Sequence, residues 1–141
     1  MKAFCLYLIS GLFLFFAPIK GIILLVALST LLDTGFGVWR AKKTGVKLQS
    51  KVFRHGLVPK LLSYCGAVML LYASDFFIIN DLMNLALDID FLSTKLIAII
   101  LISIEVKSMD ESFEAVKGYS FIKKITGLIL KAKDIKKDID G

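Results

Sequence analysis

The sequence predicts an all-α membrane protein, with about four transmembrane helices, the first one short, followed by a cytoplasmic amphipathic C-terminal helix. Three observations predict it. The 141 residues are 57% hydrophobic with a mean hydropathy of +0.76, too apolar for a single small soluble domain. Long apolar runs recur along the chain, separated by short polar segments. Charge is also segregated: sixteen of the eighteen Lys and Arg residues fall in segments that share one side of this topology. The formal charge of +6 therefore reads as orientation in a bilayer rather than as a nucleic-acid footprint.

Residues 3–17 form the first apolar run. It begins like a secretory signal, with Lys2 ahead of a hydrophobic core, but its exit, Phe15-Phe16-Ala17-Pro18, offers no small-x-small cleavage site. Two placements are open: a short span with Lys2 and Lys20 snorkelling to the interfaces, or an in-plane anchor. Pro18 and Gly21 suit a tight turn into the second run.

Residues 21–39, GIILLVALSTLLDTGFGVW, are the strongest span. These nineteen residues carry one ionisable group, Asp33. As a helix they extend about 28 Å, close to the hydrocarbon thickness of a bilayer. Trp39 and Arg40 close the run with the aromatic-then-cation ending of a membrane interface. An acid this deep costs about 2.5–3.5 kcal/mol on insertion scales, and lipid returns nothing for it, so Asp33 is expected to face protein or water.

Residues 40–60 hold seven cations, Arg40, Lys42, Lys43, Lys47, Lys51, Arg54 and Lys60, and no acid. So basic a short loop stays cytoplasmic, against anionic headgroups. Ser50 is a candidate cap for a short interfacial helix ending at Pro59. Nucleic acid is not expected as a partner, because stacking aromatics are not interleaved with these cations.

Residues 61–80 form the third span, with Asp75 near its far end reaching the outer interface. Residues 81–90 follow, with Asp81, Asp88 and Asp90 and no base, on the outer side. The fourth span, residues 91–106, has an uninterrupted apolar core of only residues 96–104. Ser93 or Thr94 is its expected cap, and Glu105 and Lys107 mark its inner boundary. The helix is expected to continue to a stop at Gly118, with Lys107–Glu111 and Glu114–Lys117 at ion-pair spacing.

Residues 120–140 read as a separate helix. Phe121, Ile125, Leu128, Ala132, Ile135 and Ile139 alternate by four and three, the spacing of an apolar seam. Lys123, Lys124, Lys131, Lys133, Lys136 and Lys137 lie between them. Two fates are open for this stripe: lying on the inner leaflet, or packing against copies of itself. The chain thus divides into a transmembrane unit, residues 1–118, with its basic cytoplasmic loop at 40–60, and a basic cytoplasmic tail, residues 119–141.

The two cysteines, Cys5 and Cys65, lie in separate apolar runs and read as buried free thiols. His55, the single histidine, sits in the basic loop. There is no nucleotide loop, metal-ligand spacing or nucleophile–base motif, so neither an enzyme nor a metal or other cofactor is expected.

Several motifs carry a resemblance to a known family. Asp33-Thr34-Gly35-Phe36-Gly37-Val38 resembles the D-x-x-x-G-V motif of the bacteriophage holin family that includes clostridial toxin-secretion holins. Ser50-Lys51-Val52-Phe53, Gly56-Leu57 and Lys60 are similar to its S-K-x-x-x-x-G-L-x-x-K stretch. Glu105, Ser108-Met109, Glu111 and Gly118 resemble its E-x-x-S-I-x-E-N and following glycine, with Met109 in place of Ile and Ser112 in place of Asn. The resemblance covers residues 20–118. It implies a multi-pass protein of the host bacterial inner membrane that oligomerises and opens a lesion through which an endolysin or toxin leaves. It implies no enzymatic activity and no cofactor.

Polar residues on these apolar helices are the candidate site. Ser29 and Asp33 share one helix side, with Gly37 alongside, and Ser103 and Glu105 lie at similar depth. In an oligomer, Asp33 and Glu105 are candidates for acid rings lining a pore. The alternatives are that Asp33 pairs with a lysine or caps amides near Gly35 and Gly37, and that Glu105 is solvated at the inner boundary. A different class of function is also open: a small membrane adaptor whose basic tail docks a partner.

Overall fold

A computed structural model describes residues 2–46, 50–80 and 89–139, and among these every regular element is helical. Helix α1 spans Lys2–Phe15 and ends in a 3-10 turn at Ala17–Ile19. The turn closes through Ile19 N–H on the Phe16 carbonyl, 3.2 Å, with Pro18 in its opening positions, where a missing N–H costs little. Gly21 is not part of it: α2 already runs from Lys20 to Thr44 and stops at Gly45, whose φ of 75° needs no Cβ.

Helix α3 covers Ser50–Ser74, so Pro59 does not end an interfacial helix as the sequence predicts. It lies inside one continuous helix. The ring removes one backbone donor, and neighbouring helices in an apolar surround can hold the chain helical across that loss. The helix then widens into a π-helical segment, Asp75–Ile79, where the Asn80 N–H donates to the Asp75 carbonyl. Helix α4 spans Leu92–Lys117 as a single rod and ends, as predicted, at Gly118, in the left-handed region at φ 78°. Helix α5 spans Phe121–Ile139.

Helices α2, α3 and α4 pack as an up-down-up bundle, with α2 and α4 side by side in the same direction. Its core joins Ile19 and Val26 to Val68 and Tyr72 of α3 and Ala98 and Leu101 of α4. Helix α1 is held at its end, where the Tyr72 hydroxyl donates to the Phe15 carbonyl at 2.9 Å and the Phe15 ring sits 5.2 Å from both Tyr72 and Phe76. Because the rest of α1 has no neighbour to pack on, Cys5 is exposed rather than buried; Cys65 is half-buried, and both thiols are free.

Two helical stretches, Ala17–Thr44 and Gly56–Ile79, are long and apolar enough to cross a membrane. At fourteen residues α1 is about 21 Å long, well short of a bilayer core. The distribution of polarity is the reverse of a water-soluble bundle. Leu24, Leu25, Leu28, Leu62, Leu70 and Phe77 face outward, each more than half exposed, while Ser29, Thr30, Asp75, Thr94 and Glu105 are buried.

Candidate functional site

The bundle's charged interior is built from one side chain per helix. Lys60 of α3 places its Nζ 2.9 Å from Asp33 Oδ2 on α2 and 2.8 Å from Glu105 Oε2 on α4. Each residue is the ion its helix brings to the same depth, about 10 Å inside Arg40 for Asp33, using the helical rise. The Glu105 side chain has no exposure, that of Asp33 has 13% and that of Lys60 has 30%. Tyr64, one turn along α3, has its ring 6.0 Å from the ammonium. The cluster holds two acids against one base, and Glu105 Oε1 is buried without a hydrogen-bond partner among the described residues.

This geometry revises two expectations. Lys60, expected at the headgroup surface, instead points into the bundle because two acids there need a counter-ion. Glu105 is not solvated at the boundary. Asp33 does pair with a lysine, but with one 27 residues away on another helix.

The other candidates separate. Ser29 is buried, and its hydroxyl donates to the Val26 carbonyl at 2.8 Å, its own helix satisfying it. Ser103 donates to Ile99 in the same way, at 2.7 Å, but is exposed and outside the cluster. At Gly37 a Cβ would meet nothing within 4 Å, so no helix approaches closely there. Arg40, Lys42 and Lys43 are exposed at the end of α2, and Lys123, Lys124 and Lys131 are exposed on α5. Lys47, Asp81 and Asp88 lie outside the described residues, as do the side chains of Lys51, Arg54 and His55.

Two more carboxylates, both buried, act as helix caps. Asp75 does not reach the outer interface. Its Oδ2 accepts the Thr94 N–H at 2.8 Å and the Thr94 hydroxyl at 2.6 Å, so α4 is capped from α3 rather than by its own Ser93 or Thr94. The chain enters α4 through Phe91 at φ 55°, with the Phe91 N–H on Asn80 Oδ1 at 3.2 Å.

Asp110 does the same for α5. Its Oδ1 accepts the Phe121 and Ile122 N–H groups at 2.7 and 3.2 Å, and its Oδ2 the Ser120 hydroxyl at 2.6 Å. Ser120 Oγ in turn accepts the Lys123 N–H, 3.0 Å, as an N-cap. Glu114 pairs across the corner with Lys123, at 3.3 Å, instead of with Lys117 along its own helix. The sequence pattern held no sign of the Asp110 contact, since it depends on where the turn after Gly118 sends the chain.

Burial pushes the Asp110 carboxyl up, but its bonds from Ser120, Ile122 and Phe121 and the Lys123 charge outweigh this and hold it below its ordinary value. A lowered carboxyl stabilises the fold above the ordinary carboxylate range and loses that contribution as pH falls through its own lower value. Hydrogen-exchange protection of the Phe121 and Ile122 amides should therefore persist from neutral pH to about pH 4 and collapse only in stronger acid. In Asp110→Ala it should be low throughout.

On the flank of α2 and α4, toward their C-terminal ends, an apolar groove of about 430 Å³ is lined by Leu31, Leu32, Gly35, Phe36, Trp39 and Phe113. It presents no polar side chain and belongs to the outward surface, not to the ion cluster.

Fold and site together define a small all-helical protein whose two longest apolar helices are locked by an internal ion triad. No protein-family model matches the chain, and comparison with curated proteins and with solved structures finds no match.

Proposed function

We propose that this is a holin-like protein of the bacterial inner membrane, which oligomerises and permeabilises the membrane to release an endolysin or toxin. In this reading α2, α3 and α4 cross the bilayer, α1 is a short first crossing, and the basic segments and C-terminus face the cytoplasm.

The observation that carries it is the convergence of Asp33, Lys60 and Glu105. Each comes from a different stretch of the resemblance to the holin family, and they meet in one cluster at 2.8–2.9 Å. Ions on apolar helices pair because nothing else there offers a counter-charge, and that all three fall within the stretches of the resemblance supports the reading. The outward-facing leucines and inward-facing acids support the membrane setting.

The mechanism follows from the pairing. With both acids held by Lys60, a single chain enters the membrane as a closed unit with its acids paired inside the bundle rather than presented to lipid. Assembly then joins such units. A lesion lined by acid would require Lys60 to release Asp33, the less buried of the two.

Induced expression should leave cells intact for a lag and then collapse the membrane potential abruptly, and Asp33→Leu should shift or abolish that moment. Gradual, dose-proportional toxicity indifferent to Asp33→Leu contradicts the proposal. Co-purification of one stoichiometric foreign protein without permeabilisation indicates an adaptor instead.

A further inference from the structure

We infer that α5 is a lipid-docking helix, seated along the cytoplasmic leaflet on anionic phospholipid with its apolar stripe turned into the acyl boundary. This rests on the reading that the bundle spans the membrane.

Among the described residues, the bonds that tie helix α5 to the rest of the protein lie at its start. The Asp110 and Ser120 bonds and the Lys123–Glu114 pair all lie within its first turn. Beyond that point Ile125, Leu128, Ile129 and Ile135 are each more than half exposed. Nineteen residues give about 28 Å of helix with an apolar stripe along its length.

The corner fixes where this stripe begins. Phe113 has its ring 6.0 Å from Trp39, 5.4 Å from Tyr119 and 5.6 Å from Phe121. Rings of this kind gather at the headgroup level, and Trp39 with Arg40 ends the α2 apolar run there. Helix α5 therefore starts at the membrane surface, held to α4 by a cap rather than by a loose linker.

Charge decides what covers the stripe. At 100° per residue, Lys124 and Lys131 flank it on one side and Lys133, beyond Ile129, on the other. Two copies packed seam to seam would set lysine against lysine, where a stable seam needs opposite charges. A leaflet of anionic headgroups meets every one of those cations with its counter-charge, while the stripe enters the apolar layer below.

The test uses the full chain, with Cys5→Ser and Cys65→Ser, carrying an environment-sensitive fluorophore on Leu128→Cys. The protein is reconstituted in vesicles of phosphatidylcholine alone or with phosphatidylglycerol. The expected result is blue-shifted emission, quenched by brominated acyl chains, when phosphatidylglycerol is present. Both signals should be lost in its absence and after Lys124→Glu, Lys131→Glu and Lys133→Glu together. Emission typical of water in both vesicle types overturns the inference. So does a blue shift that brominated lipid does not quench and that weakens as unlabelled protein is diluted out, because a second copy then covers the stripe. Dye release from the same vesicles reads the pore proposal separately: quenching without release refutes the pore and leaves the docking intact.

Discussion

Lys60→Met is expected to be the most damaging single substitution in the protein. Methionine matches the length and apolar bulk of the lysine stem, so packing is largely kept and the loss isolates the charge. Asp33 and Glu105 are then left facing each other without a counter-ion, and Glu105 has no access to water. Breaking a buried pair by removing one partner costs about 3–5 kcal/mol, a large share of the stability of a domain this size. The variant should fail to accumulate in membranes or should unfold at much lower denaturing-detergent content than the parent. Asp33→Asn should be far milder, because Lys60 keeps Glu105 and the contact weakened is the one to the less buried acid. Equal stability of Lys60→Met and the parent would mean that the three charges do not meet.

The second large effect is expected at the opposite end of the bundle. Asp75→Ala strips the cap from α4 and leaves the Thr94 N–H and hydroxyl without their acceptor in a site closed to water. Loss of hydrogen bonds to a charged group, with the donor left buried, costs about 2–3 kcal/mol. Asp75→Asn keeps an acceptor oxygen and should recover most of it. The reading is local: amide exchange at Thr94 should rise in Asp75→Ala while amides near Glu105 stay protected. Uniform loss of protection along α4 would show that the cap holds the whole bundle and not just its outer end.

How much of this was legible in the chain differs from element to element. The run ending at Trp39, the long fourth helix stopping at Gly118 and the separate amphipathic tail are strong local signals, carried by hydrophobic period, aromatic endings and a glycine at the stop. All three stand in the fold. Pro59 misled because the sequence shows only proline's local preference to break a helix, while α3 runs continuously through it from Ser50 to Ser74. Asp33 announced itself as an acid needing a partner, but Lys60 was hidden among seven cations, six of which suit a headgroup surface. The signal that distinguishes it is position: it directly follows Pro59 and opens the apolar run of residues 61–80. Asp75 and Asp110 were illegible as caps, since each binds a helix that begins 17 or 11 residues later, and only the path of the chain brings them together.

The coupling among the three charges is the most direct measurement. Stability in mixed detergent should be compared for the parent, Lys60→Met, the pair Asp33→Asn with Glu105→Gln, and all three changes combined. If one ammonium serves both carboxylates, Lys60→Met should cost several kcal/mol in the parent and little once both acids are neutral, a non-additivity well above 1 kcal/mol. Equal cost in both backgrounds would contradict the account, because Lys60 would then stabilise the protein through something other than Asp33 and Glu105.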